Sequence, residues 1–235
     1  KGLTVLFGYV LLLSVLSYVA ASEAALNLLD ARESVGIVVQ VAIGLSTLAA
    51  LVVSSDMISG ERERDTLEAL LVTPVPRRAL VIGKMAAASS MWLIGIIAAV
   101  PYVISLAGGP GVTGDAIFVL GVAGSLVGLA LTAMGMAISA ISMSNRVSVA
   151  ASVGILLILA APSQLPAVTA NGVLGSILIA SNPVSAGLKL AGLVLIDQKP
   201  LADQWHLLIS PVVAVAVMTF LAIRLSSRVR LGGAR

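Results

Sequence analysis

The stretch Ser59-Gly-Glu-Arg-Glu-Arg-Asp-Thr-Leu-Glu-Ala-Leu-Leu-Val-Thr-Pro74 decides how this chain is read. Six of its sixteen residues are charged, in a chain of 235 residues that is 59% hydrophobic and only 11% charged. Soluble domains carry about 25% charged residues. Long apolar runs flank the stretch on both sides, so the class is an all-α polytopic membrane protein. The pattern predicts a short helix over 60–72. Ser59 is placed to cap the first free amides. Glu61 and Glu63 fall in the first turn, where the helix dipole favours acids. Arg64 stands four residues before Glu68. Leu67, Leu70 and Leu71 recur at spacings of three and four and make one apolar stripe. Pro74 and Pro76 end the helix, because neither donates to a continuing turn.

Working outward, apolar segments of spanning length lie at about 2–21 and 35–56 before the charged helix. After it come 79–106, 117–141, 149–169 and 207–224. The first segment is longer than the 7–15 apolar residues of a cleavable signal core. The chain begins at Lys1 rather than Met, and a preceding segment is expected. Gly108 to Asp115 reads as a turn-rich loop and 142–148 as a small polar hinge. Residues 171–203 hold two apolar pieces, each shorter than the ~20 residues a span requires, broken at Asn182-Pro183.

Basic residues choose between six spans and seven. Short cytoplasmic loops collect Lys and Arg. With six spans, 11 of the 14 bases fall on the inner side with both termini, and Arg32, Lys189 and Lys199 fall outside. With seven, the arginine-rich tail would face outward. The reading is therefore six spans in the cell membrane, both termini cytoplasmic, and a pair of outer re-entrant helices at 171–203 before the last span. The whole chain, 1–235, is one transmembrane domain.

Several chemistries find no support. There is no cysteine, and one histidine, His206, makes no His-pair metal site. No charged side chain falls mid-span, where ion-coupled transporters place acids or histidines. Gly83-Lys84 lacks the glycine spacing of a phosphate loop, so no ATPase site is expected on this chain. Gly109-Pro-Gly111-Val-Thr-Gly114 fits a dinucleotide-loop spacing, but no strand precedes it. No G-x-S-x-G nucleophile is present, so an intramembrane enzyme is the weakest reading. The net charge of +3 follows membrane topology and does not indicate nucleic acid. Gly121, Gly128 and Gly135, with Gly124, allow close helix approach, either within the subunit or along a dimer seam. Ser14, Tyr18, Gln40 and Thr47 are candidate pathway-lining groups. Hydroxyls in spans often bond their own backbone four residues back, whereas Gln40 is hard to satisfy alone.

The run Ile58-Ser-Gly-Glu-Arg-Glu-Arg-Asp-Thr-Leu-Glu-Ala-Leu-Leu-Val-Thr-Pro74-Val-Pro-Arg77-Arg78, with Gly83-Lys84 beyond it, resembles the hallmark of type-2 ABC exporter permeases. That pattern is approximately E-R-E-x-G-T-L-E-x-L-L-x-x-P, then bases, then G-K opening the third span. Asp65 stands where glycine is usual, and the helix is expected to run through it, since glycine is the poorer helix former. The amphipathic helix that precedes the first span in the family is expected in the segment before Lys1.

The resemblance implies a permease subunit of an ATP-driven exporter, paired with a second permease copy or paralogue. Two separate ATPase chains would carry the ATP and Mg, leaving no cofactor on this chain. It also implies that Glu61, Arg62, Glu63, Arg64, Thr66, Leu67, Glu68, Leu70 and Leu71 form the coupling helix that contacts the ATPase. The alternative is a related machine for cofactor maturation or for lipoprotein or peptide release. The lack of a large outer domain tilts the reading toward small or lipid-like cargo.

Overall fold

A bilayer core is crossed by about 20 apolar residues in helical form. Six helical segments meet that requirement in the computed structural model, which describes residues 2–25, 31–66, 76–107, 110–164 and 172–226. Helix α1 spans Gly2–Ala25, α2 Ala31–Asp56 and the short α3 Ser59–Glu63. Helix α4 spans Arg77–Leu106 and runs straight through Pro101. Helices α5 (Pro110–Phe118) and α6 (Gly124–Ile141) are joined by a π turn at Val119–Ala123, so they cross as one segment. Helix α7 spans Asn145–Ala160, α8 Val173–Ser181, α9 Pro183–Ala191 and α10 Ile209–Ser226. No strand occurs among the described residues.

The loop expected at 108–115 is corrected here: residues from Pro110 onward are helical. Proline fits the first turn, where its missing N–H has no intrahelical partner anyway. Gly111 and Gly114 are then carried by the span that follows. The polar hinge is shorter than expected too. It covers only 142–144, because Ser144 accepts from the Val147 amide at 3.3 Å and caps α7.

Helices α2 and α6 are the most buried, and the others pack around them. The main core joins Val35, Val38, Val39 and Ile43 of α2 to Leu120, Trp92 and, from α9 and the π turn after it, Leu190 and Leu195. Three of the four stripe glycines, Gly124, Gly128 and Gly135, are used inside the subunit. A Cβ on Gly128 would meet the Trp92 ring at 2.7 Å and one on Gly124 would meet it at 2.9 Å. The indole therefore lies against a helix face that any side chain would fill, and its Nε1 donates to Ser125 Oγ at 3.2 Å.

Contacts fix the direction of each helix. Ala222 of α10 packs with Ile58, Val81 and Ala137, beside α3, so α10 ends at the charged end of the bundle. Helix α7 begins at that same end, where the Asn145 amide meets Glu63. The chain between them, including α8 and α9, thus leaves from and returns to the opposite end. Helices α8 and α9 meet at 102°. The excursion is re-entrant and the crossing segments number six among the described residues. Asn182 makes the corner: its Oδ1 accepts from the amides of Val184 and Ser185 at 3.0 and 3.3 Å, with Pro183 in the first turn.

Candidate functional site

Within the 60–72 predicted as one helix, the described residues show a break after Glu63. Helix α3 stops at Glu63, and Thr66 is its last described neighbour before the undescribed 67–75. Its end is a Schellman motif: the Thr66 amide donates to the Glu61 carbonyl at 3.0 Å and the Asp65 amide to the Arg62 carbonyl at 3.3 Å. Asp65 has a positive φ of 55°. The expectation that the helix continues through Asp65 is therefore wrong. This is the left-handed position where glycine is favoured, which explains why a glycine is usual there. Leu67, Glu68, Leu70 and Leu71, and the predicted Arg64–Glu68 pair, lie outside the described residues.

Ser59 is not the cap that the pattern suggests. Its hydroxyl donates to the Ser55 carbonyl at 2.8 Å, and the residue in the cap position is Ile58. The cap comes instead from another span. Ser139 Oγ, on α6, accepts from the amides of Ile58 and Ser59 at 3.0 and 2.9 Å. Both donors are buried with it. The joint between α2 and α3 thus rests on a hydroxyl 80 residues away in sequence.

The charged side chains of α3 reach further spans. Lys84 of α4 forms an ion pair with Glu61 and donates to the Met57 carbonyl at 2.7 Å. Both side chains are largely withdrawn from solvent, so screening is weak. The Arg62 guanidinium donates to the carbonyls of Ser142 and Ala140, which lie at the C-terminal end of α6. Glu63 Oε1 accepts from the Asn145 amide at 2.9 Å, at the start of α7. A cation at one helix C-terminus and an anion at the next N-terminus both complement the helix dipoles. Consecutive residues of α3 thereby straddle the break between α6 and α7. Ser148 adds a hydroxyl donated to the Ser55 carbonyl at 2.7 Å. Arg64 turns back to Asp56 at 3.2 Å, an exposed pair that contributes little.

The arrangement is a mechanical joint. One short helix is tied to α4, α6 and α7, and follows α2 directly. Gly60 is needed for that close course, since a Cβ there would collide with the Asp56 carboxylate. Outside the tied face, Arg64, Asp65 and Thr66 are exposed, and Met143 in the α6–α7 link is 85% exposed. The resemblance names Glu61, Arg62 and Glu63 as ATPase contacts, and here their side chains bind the subunit's own α4, α6 and α7. Ser139, Asn145 and the α6 carbonyls went unrecognised, though Lys84 stood out in the Gly83-Lys84 pair.

The four candidate pathway residues do not come together. Ser14 hydrogen-bonds Val10 and the Tyr102 hydroxyl. Tyr18 is exposed on the outer face of α1. Thr47 donates to the Ile43 carbonyl in its own helix. Gln40 lines a cavity with Ser185, Lys189 and Asp197, near the end opposite α3.

A family model described as "ABC-2 family transporter protein" matches residues 2–231. Among curated proteins, none matches the chain.

Proposed function

The chain belongs to the ABC-2 transporter family, as the membrane-spanning permease component of an ABC transporter, and we propose that it couples ATP hydrolysis on a separate ATPase chain to export of a substrate. The observation that carries this reading is the joint at α3. Glu61, Arg62 and Glu63 fasten the helix to the ends of α4, α6 and α7. A push on α3 and the segment after it is therefore delivered to several spans as a rigid-body movement. In this reading the charged end faces the cytosol of the cell membrane. The ATPase docks on the exposed Arg64–Thr66 surface, the 67–75 segment and the neighbouring Met143. Two permease subunits and two ATPases make the working unit, with ATP and Mg held by the ATPases. Closure of the ATPases moves the two α3 joints and shifts the bundle between inward-open and outward-open populations.

The chain holds no cysteine, which makes the test direct. Single cysteines replace Thr66, Met143 or, at the opposite end, Asp203, and a photoactivatable cross-linker is attached to each. With an ABC ATPase co-purified in detergent, Thr66→Cys and Met143→Cys are expected to link to the ATPase and Asp203→Cys is not. Linking from Asp203→Cys alone would overturn the reading.

A further inference from the structure

A cavity of about 580 Å³ lies between α6, α7, α10 and the corner of the re-entrant pair. That is within the range of small-molecule sites, about 300–1,000 Å³. It follows α10 from His206 to Met218, which at 1.5 Å per residue is about 18 Å. Its polarity is graded along that length. His206, Ser181 and Ser210 line the end near the start of α10, and Ser210 is held there by donating to the Ser181 carbonyl at 2.8 Å. Deeper in, the lining side chains are apolar, among them Leu131, Met134 and Met218. Trp205, beside His206, is 64% exposed. Exposed tryptophan at the end of a span marks the headgroup level of a bilayer.

The cavity opens sideways. Val213 and Val217 line it and are themselves exposed on α10, and Leu157 and Ile158 are exposed on α7. Its rim is thus part of the exposed apolar side of the bundle. A volume of 580 Å³ spread over about 18 Å leaves a channel roughly 6 Å across. A helix with side chains, about 10–12 Å wide, can lie across the open side but does not fit within. A hydrocarbon chain, with carbon contacts at about 4 Å, does.

We propose that this cavity binds one acyl chain of a bilayer lipid, with the headgroup held at His206 and Ser210 and the chain running along α10 to Met218 over a floor of Leu131 and Met134. The site rests on the membrane-spanning fold and not on the ATPase partnership, so each can fail without the other.

The experiment places the purified chain in phosphatidylcholine vesicles containing a trace of phosphatidylcholine with a diazirine near one chain terminus. After irradiation, adducts are mapped by peptide sequencing. Adducts are expected on Leu159 and Met218, which line the cavity and are partly exposed. Filling the cavity from α10 with Ala214→Trp, or from α8 with Ala180→Phe, is expected to lower them about tenfold. Labelling of exposed Phe7 and Val15 on α1 stays unchanged. Ala180 is exposed, so Ala180→Phe decides the matter if Ala214→Trp does not insert. Adducts spread only over exposed apolar residues, or adducts on Leu159 and Met218 that persist in both variants, would overturn the site. A cross-link between two copies through α10 in place of lipid labelling would do the same.

Discussion

The two ends of the bundle are held by different chemistry. At the charged end, α3 is fastened by an ion pair, an arginine on helix-terminal carbonyls, a carboxylate on a helix-starting amide and a serine that caps in trans. At the other end, the re-entrant corner is fixed to α7 through one carbonyl. Leu159 O accepts from Asn182 Nδ2 at 2.6 Å and from Ser185 Oγ at 3.1 Å. Around that point α9 is held by apolar packing, and much of α8 is exposed. Directed polar bonds resist rotation of one element against another, whereas an apolar surface permits sliding at small cost. The charged end is thus held by an ion pair and several bonds to three spans, and the re-entrant end by three hydrogen bonds and apolar packing.

The comparison breaks most readily at Ser139. Ser139→Ala leaves the buried amides of Ile58 and Ser59 without an acceptor. Each unsatisfied buried donor costs about 1–3 kcal/mol, so a loss of roughly 2–6 kcal/mol is expected. Thermal unfolding in detergent should show a large drop in Tm. If the charged end is not a fixed joint, the drop will be no larger than that of Ser142→Ala, whose hydroxyl donates to a carbonyl of its own helix. Gly60→Ala ranks next. The added methyl displaces the Asp56 carboxylate and with it the exposed pair to Arg64, a loss of up to about 1 kcal/mol.

Asn182→Ala sharpens the contrast from the other side. It removes a helix cap, worth about 1 kcal/mol, and the bond to Leu159. Global Tm is expected to change little. Hydrogen exchange should instead rise locally at the amides of Val184 and Ser185, because the corner opens without disturbing the bundle. Exchange that rises equally at Asn145 would show that the two ends are not independent.

How far this was legible in the sequence follows the same division. Apolar length marks the candidate crossings and the placing of Lys and Arg chooses six over seven, while the corner at Asn182-Pro183 is visible because proline and a capping asparagine act locally. The charged helix was located, but its partners were not. Ser139 looks like Thr132, which merely bonds the carbonyl four residues back; only the tertiary approach of α3 distinguishes them. Residues 110–115 were misread because glycine and proline were weighed as breakers in isolation, while proline at a helix start and the adjoining span favoured helix. The glycine stripe leaves two readings open: Gly124 and Gly128 pack on Trp92 and Gly135 on Ser54 and Leu51 within the subunit, while Gly121 faces open space. Of the expected pathway groups, the hydroxyls of Ser14 and Thr47 find partners nearby, which no spacing rule could rank against a shared cavity.

The smallest effect, and the only one of opposite sign, belongs to Asp65. A non-glycine residue in the left-handed region costs roughly 1–2 kcal/mol, though aspartate tolerates it better than most. Asp65 sits there at φ 55° as the residue closing the Schellman motif of α3. Asp65→Gly relieves that cost but also frees the unfolded backbone, so the net gain expected is about 0.5–1 kcal/mol. It should appear as a modest rise in Tm and slower exchange at the Thr66 amide, which donates to Glu61 across the motif. Asp65→Ala keeps a Cβ and loses the tolerance of aspartate, so it should be destabilising. If glycine and alanine shift stability in the same direction, the helix does not end at this residue and the boundary of the fixed joint must be moved toward 67–75.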